Sequence, residues 1–147
     1  MWIPFGRPAA VARIAGGNLA PCLYGTVKFY QMGKQVLVVA DICGLPPSQT
    51  NIFAMHIHVG GDCGGEGFSD TQGHYDPCGQ PHPNHAGDLP PLFSCGGRAF
   101  LAVQTDRFCL PEIVGKTVVI HGGPDDFHTQ PAGNSGEKIA CGVIVVQ

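Results

Sequence analysis

The sequence predicts an all-β fold, a sandwich or a barrel, and three observations support this. Short runs of alternating or β-branched residues recur along the whole chain. Turn signals such as Gly33-Lys34 and Cys95-Gly96-Gly97 separate neighbouring runs. Glycine and proline supply 22 and 13 of the 147 residues, so turns are frequent. Many short strands joined by frequent turns are typical of β-sandwiches and β-barrels.

Seven segments have the composition of strands. In the second of them, alternation places Val27 and Phe29 on one face and Lys28 and Tyr30 on the other, because successive strand side chains point to opposite sides. Outside these runs, only residues 111–115 could hold a short helical turn. In chain order, the predicted strands are 11–15, 24–31, 35–42, 52–59, 98–104, 116–122 and 138–146.

Two long stretches interrupt this series of predicted strands. Residues 60–91 are rich in glycine, proline and histidine, and residues 122–137 form a similar but shorter stretch. Neither has a strand pattern. Long loops without secondary structure in a compact domain are usually functional or disordered. The first stretch contains four potential metal ligands, so metal binding could order it.

Length and composition indicate a single globular domain spanning residues 1–147, in which we expect residues 1–9 to form a flexible N-terminal tail. Hydrophobic residues make up 44% of the chain and charged residues 13%, and the net charge is −3 with histidine neutral. There is no block of lysine or arginine, so neither nucleic acid nor an anionic membrane is an expected partner. No apolar run approaches the ~18 residues of a membrane span.

The N-terminal segment is broken by Pro4 and Pro8 and lacks the unbroken apolar core of a secretory signal. We therefore expect a cytoplasmic protein. The alternative is an exported mature form to which a methionine has been added.

Seven cysteines leave at least one unpaired within a monomer. Buried free cysteine is the commonest fate of a cysteine without a readable function. We expect it for four residues: Cys22, Cys43, Cys95 and Cys109.

Histidines on two of the predicted strands form a candidate metal site. His56 and His58 lie in the alternating run 52–59, so both imidazoles project from the same face and can reach one ion. His121 lies on another apolar run. Three imidazoles held by strands make a rigid half-site, and imidazole is a ligand that suits copper and zinc.

The loop 60–91 carries a second set of potential ligands. His74, His82, His85 and Asp88 follow one another at spacings of eight, three and three residues. Three imidazoles and a carboxylate could surround an ion tetrahedrally, which is the pattern of a structural zinc site. Cys78 lies within this set, and we interpret it as a plain loop thiol rather than a replacement ligand.

Three further motifs resemble one known family. Residues 73–77 (GHYDP), 85–89 (HAGDL) and 133–144 (GNSGEKIACGVI) are together similar to the copper/zinc superoxide dismutase family, in particular to its bacterial members. The resemblance covers roughly residues 24–145. It implies a flattened, eight-stranded Greek-key β-barrel or sandwich with two long functional loops. The segment 82–85 and the loop after His121 are both shorter than in well-known members.

The resemblance also implies roles for individual residues. His74 would bind both metals as a shared ligand and would return a proton to the product. Asp125 would hydrogen-bond to ligands of both metals and fix their rings. The implied copper ligands are His56, His58, His74 and His121. The implied zinc ligands are His74, His82, His85 and Asp88.

Three other residues acquire implied roles. Cys63 and Cys141 would form a disulfide bond that ties the metal loop to the last strand. Lys138 stands where the family usually carries an arginine, and would steer the superoxide anion. Lysine keeps the positive charge but lacks the planar fork of a guanidinium.

The function implied is that of an antioxidant oxidoreductase. It would dismute superoxide to O₂ and H₂O₂ by a copper redox cycle, with zinc as the structural partner metal, and could be a homodimer. One alternative is a copper-binding or copper-delivery module with little turnover, although delivery proteins usually need an exposed, exchangeable site containing cysteine. Others are a copper-only or a zinc-only member of the fold.

Overall fold

The structure, a computed structural model, describes residues 6–147. Within this range the chain forms nine strands, one short α-helix, α1 (Leu110–Ile113), and one 3-10 segment, Glu66–Thr71. No helix in the described range is long and apolar enough to cross a membrane. The strands are β1 (Ala10–Gly16), β2 (Tyr24–Met32), β3 (Gln35–Cys43), β4 (Ile52–Phe53), β5 (Met55–His58), β6 (Leu92–Phe93), β7 (Ala99–Thr105), β8 (Thr117–His121) and β9 (Lys138–Val146).

All strand pairs are antiparallel. Seven strands form one curled sheet in the order β5-β8-β9-β1-β2-β3-β7, and β4 pairs with β6. β4 and β5 are separated only by Ala54, whose N–H and C=O bond to Gly123 and His121. Counted as one strand, they give the eight strands that the family resemblance implies, one more than the seven strands predicted from the residue pattern. The all-β Greek-key prediction is confirmed.

The interior is filled by the inward-facing side chains of these strands. Val27 and Phe29 are fully buried on the predicted face of β2, and Met55 and Ile57 on β5 contribute to the same core. In β5 the outward-facing residues are buried as well. This second burial occurs because the loop 60–91 covers the outer face of the strand.

The loop is joined to the free edge of β5 by backbone hydrogen bonds. Tyr75 donates to the carbonyl of Ile57 at 2.8 Å, Ile57 donates to Gly87 at 2.8 Å, and Val59 donates to Gly73 at 2.9 Å. An edge strand otherwise presents unpaired backbone groups. A Cβ atom at position 87 would lie 2.3 Å from the Ile57 carbonyl oxygen, so this close approach requires glycine. The loop is thus attached to the strand that carries two of the histidines.

The end of the expected flexible N-terminal tail is hydrogen-bonded to the rest of the structure. Residues 1–5 of the expected N-terminal tail lie outside the described residues. Ala9, its last residue, donates a backbone hydrogen bond to Phe29 at 2.9 Å and accepts one from Gln147 at 3.0 Å. Ala9 is therefore attached to the sheet and is not part of a flexible tail.

The disulfide bond implied by the resemblance is present between Cys63 and Cys141, with Cα atoms 5.8 Å apart. The expectation of buried free thiols is wrong for three of the four residues named, because they lie in or beside surface turns rather than on inward-facing strand positions. Cys43 is partly buried. The exposed free cysteines are Cys22, Cys78, Cys95 and Cys109.

Replacing Cys63 by serine should lower the free energy of unfolding by roughly 2–5 kcal/mol, because the bond closes a long loop in the unfolded chain. The two cysteines are 78 residues apart in sequence. Denaturant unfolding of the two proteins under non-reducing conditions measures the difference. Cys95→Ser, which removes an exposed free thiol, is the control. Equal stabilities of Cys63→Ser and Cys95→Ser would contradict the expectation.

Candidate metal centre

Three histidines of the first cluster are positioned by adjacent strands. His56 and His58 project outward from β5, and His121 ends β8, its antiparallel neighbour. All three are buried. The Nε2 atoms of His58 and His121 are 3.3 Å apart. Period-two alternation and the β5–β8 pairing together produce this convergence.

His74 reaches the same cluster from the loop. It forms an isolated bridge with His58, and its ring centroid lies 3.9 Å from that of His56. Ring nitrogens of His56, His58, His74 and His121 all lie within 4.8 Å of one another. The structure therefore brings together the four residues named as copper ligands.

The two nitrogens of His74 face different groups. Its Nδ1 lies 2.8 Å from Asp88 Oδ1 and 3.2 Å from His85 Nδ1. Its Nε2 is buried and has no hydrogen-bond partner. A ligand shared by two metals requires this arrangement, with one nitrogen available on each side.

The second cluster surrounds Asp88. Nδ1 of His85 lies 3.2 Å from Asp88 Oδ2, and Nδ1 of His82 lies 3.0 Å from the same oxygen without hydrogen-bond geometry. Four ligands placed tetrahedrally 2.0–2.1 Å from a zinc ion are about 3.3 Å from one another. The four separations of 2.8–3.2 Å that link His74, His82, His85 and Asp88 lie close to this value, so the cluster can hold such an ion.

His56 also lies close to this second group, within 4.8 Å of donor atoms of His74, His82 and Asp88. Its Nε2 atom is held by Asp125 at 2.8 Å. Only Nδ1 of His56 is left without a partner. A single free nitrogen can bind only one metal. His85 Nδ1 lies 3.2 Å from both His74 Nδ1 and Asp88 Oδ2, so His85 can complete the second cluster and leave His56 to the first, as the resemblance implies.

Asp125 connects the two clusters. Its Oδ2 accepts from His56 Nε2 at 2.8 Å, and its Oδ1 accepts from His82 Nε2 at 2.7 Å and from the N–H of Phe127 at 2.8 Å. Burial alone would raise the pKa of Asp125, but these donors together hold it well below its ordinary value. The ionised carboxylate fixes both Nε2 atoms as donors and leaves Nδ1 of each ring for a metal.

Backbone carbonyls fix the other two rings. His58 donates from Nδ1 to Gln72 at 2.8 Å, and His121 donates from Nδ1 to Gly136 at 3.2 Å. Burial lowers the pKa of His58 to about 2 and that of His121 to about 3. Both rings are therefore neutral at neutral pH, and a neutral imidazole is the form that binds a metal.

Unpartnered buried nitrogens supply an independent test of whether metals fit. Three such atoms are Nδ1 of His56, Nε2 of His74 and Nδ1 of His82. An unsatisfied buried polar atom costs about 1–3 kcal/mol. Each of these atoms points into one of the two clusters, where a cation would satisfy it. The residues present therefore fit one metal in each cluster.

Lys138 lies beside the first cluster as the β9 residue paired with His121. Its Nζ donates to Thr71 Oγ1 at 2.8 Å and to the carbonyl of Gln72 at 2.9 Å. The same carbonyl accepts from His58. Sequence reasoning missed Thr71 and Gln72, because a hydroxyl and a backbone carbonyl in a loop have no sequence signal.

Comparison with known proteins agrees with this geometry. The sequence model of the family described as "Copper/zinc superoxide dismutase (SODC)" matches residues 23–144. "Superoxide dismutase [Cu-Zn] 2" of Aquifex aeolicus is 35% identical over 136 residues, with 82% of this chain and 78% of that protein covered. "Superoxide dismutase [Cu-Zn]" of Legionella pneumophila is 35% identical over 132 residues, with 84% and 79% covered.

A solved structure shares the fold. The crystal structure of a double mutant of a SOD-like protein from Bacillus subtilis superposes with a TM-score of 0.80 at 25% identity, covering 92% of this chain and 96% of that one. The β-barrel and two adjoining clusters of potential metal ligands, which meet at His74, together define a candidate paired metal site on an all-β scaffold. The chain belongs to the copper/zinc superoxide dismutase family.

The metal-free protein should lose stability as the pH falls. The pKa values of His58 and His121 are lower in the folded protein than in the unfolded chain, so protons favour unfolding. The contribution of these two neutral histidines to the free energy of unfolding is complete above about pH 6.5. Below that pH it is lost progressively, by up to about 2 kcal/mol per histidine at pH 5.

Urea unfolding of chelator-treated protein at pH 7.5 and pH 5.0 measures this loss. His128→Ala, which removes an exposed histidine, should leave the difference between the two pH values unchanged. An unfolding free energy that is equal at both pH values would contradict the account.

Proposed function

We propose that this protein catalyses the dismutation of superoxide, converting two superoxide anions and two protons into O₂ and H₂O₂. The observation that supports this most strongly is the pair of adjoining clusters that share His74. Copper would be held by His56, His58, His74 and His121. Zinc would be held by His74, His82, His85 and Asp88.

The two metals would contribute different chemistry. Copper, when bound, supplies a one-electron redox change, and zinc, which has no accessible redox change, fixes the geometry of its ligands. His74 can hold a proton at Nε2 while its Nδ1 stays among the zinc ligands. Because Nε2 is buried in the first cluster, His74 is placed to give this proton to the peroxide product.

Lys138 would guide the substrate. Superoxide is an anion and the chain carries a net charge of −3, so a local cation is needed to attract it. Two of the three Nζ donors are used by Thr71 and Gln72, which hold the ammonium group next to His58. A lysine held in this way supplies the positive charge, although not the bidentate contact of an arginine.

Two observations weigh against the alternatives. No free cysteine of residues 6–147 belongs to either cluster, which argues against a copper-delivery module with an exchangeable thiol site. The donor spacing around Asp88 supports zinc in the second cluster, which argues against a copper-only protein. A cytoplasmic location and a homodimeric state stay predictions.

Substituting His121 by alanine should abolish copper binding and dismutation while leaving the fold intact, because the hydrophobic core lies on the other face of the strands. Metal analysis and a dismutation assay on the same copper- and zinc-loaded sample provide the measurement, with His128→Ala as the control. Dismutation at the wild-type rate by copper-free His121→Ala would refute the proposed role.

Lys138→Glu, which reverses the charge, should slow dismutation at low ionic strength by roughly 10-fold or more. It should also weaken the dependence of the rate on salt concentration. Lys138→Arg should retain the rate. The matched control is Lys34→Glu, which makes the same charge change in the turn between β2 and β3, away from the site. If Lys138→Glu and Lys34→Glu have the same rate at low salt, Lys138 does not steer the substrate.

A further inference from the structure

The turn formed by residues 80–87, which carries the proposed zinc ligands His82 and His85, is short and has little regular structure. His82 and His85 are separated by only two residues, and none of residues 80–87 belongs to a helix or a strand. One hydrogen bond, from Asn84 to the carbonyl of Pro81 at 2.8 Å, closes the turn. Two ligands in so short a segment must be oriented by contacts from elsewhere in the chain.

Gln130 supplies two of these contacts from the loop 122–137. Its Oε1 accepts from the backbone N–H of His82 at 2.9 Å, and its Nε2 donates to the backbone carbonyl of the same residue at 2.8 Å. The side-chain amide thereby pairs with His82 as a neighbouring strand would. A two-point contact of this kind fixes the rotation of the His82 backbone and hence the direction of its ring.

The ring of His82 is held by the same loop. Its Nε2 donates to Asp125 at 2.7 Å, so backbone and ring of one zinc ligand are both attached to residues 125–130. His82 is buried. With backbone and ring both fixed, Nδ1 is directed at Asp88, which lies 3.0 Å away.

Arg107 holds the opposite side of the turn. It lies in the connection between β7 and α1, and its Nη1 donates to the carbonyl of Pro83 at 2.7 Å and to that of His85 at 3.2 Å. A charged donor strengthens both bonds. The turn is therefore hydrogen-bonded to Gln130 on one side and to Arg107 on the other, and these two residues come from separate parts of the chain.

We propose that Gln130 is a positioning residue for zinc, and that Gln130 and Arg107 together orient the two zinc ligands of this short turn. This proposal rests on the zinc site of the proposed function. Loss of a group that orients a metal ligand typically reduces metal affinity 10–100-fold. Because Gln130 contacts none of the four copper ligands, the loss should be specific to zinc.

The test measures each metal separately in the full-length protein. Wild type and Gln130→Ala are loaded with copper and zinc, zinc is then titrated against a chromogenic chelator, and copper is quantified in the same samples. We expect 10–100-fold weaker zinc binding by Gln130→Ala with unchanged copper content. Gln104→Ala, which removes an exposed glutamine from β7, is the matched control and should bind zinc as wild type does.

A second variant covers the case in which Gln130→Ala fails to fold. Gln130→Glu keeps the size of the side chain and can still accept from the His82 N–H, but it loses the donor to the His82 carbonyl. It should also weaken zinc binding. Cobalt placed in the zinc site supplies a spectroscopic readout, because distortion of the ligand set changes its visible absorption bands.

Three outcomes would overturn the inference: zinc affinity of both variants within threefold of wild type, equal losses of zinc and copper, or a wild-type protein that binds no zinc. Its failure can be distinguished from failure of the proposed function. A zinc-free wild type that dismutes superoxide with copper alone overturns the zinc site and with it the role of Gln130, but leaves the proposed activity intact. A wild type that binds both metals without dismutation, and loses zinc on substitution of Gln130, overturns only the proposed activity.

Discussion

The site depends on one constraint: in each buried imidazole, one ring nitrogen is held by a hydrogen bond and the other is left free to bind a metal. In His56, His58 and His121 one nitrogen is fixed by a carboxylate or a backbone carbonyl, and the other is left facing the first cluster. Burial keeps these rings neutral. Without cations the clusters contain polar atoms with no partner, so the surrounding fold must hold an arrangement that is unfavourable by itself.

The barrel and the loop 60–91 supply this support together. The loop pairs with the free edge of β5, and the Cys63–Cys141 bond ties it to β9. The edge of β5 supplies hydrogen-bond partners for the loop backbone. The loop in turn covers the outer face of the strand, on which the histidines lie. Asp125 then joins the two clusters, because the same carboxylate fixes the ring of His56 in one cluster and the ring of His82 in the other.

Much of this arrangement was predictable from the sequence because it follows from local periodicity. Alternation along 52–59 places His56 and His58 on one face, and the ligand spacing in the loop indicates a second site. The break at Ala54 was not predictable, because it results from bonds to residues far along the chain. Gln130 and Arg107 were missed for a similar reason: a lone glutamine or arginine in a loop has no spacing signal, and its partners are backbone atoms.

The proposed chemistry requires the imidazole of His74 to lie between two different metals. Anomalous X-ray diffraction at the copper and the zinc absorption edges, from crystals of the protein loaded with both ions, measures this directly. We expect copper among the rings of His56, His58 and His121, zinc beside Asp88, and the His74 imidazole in contact with both. A single metal position, or a His74 ring that contacts neither ion, would contradict this expectation.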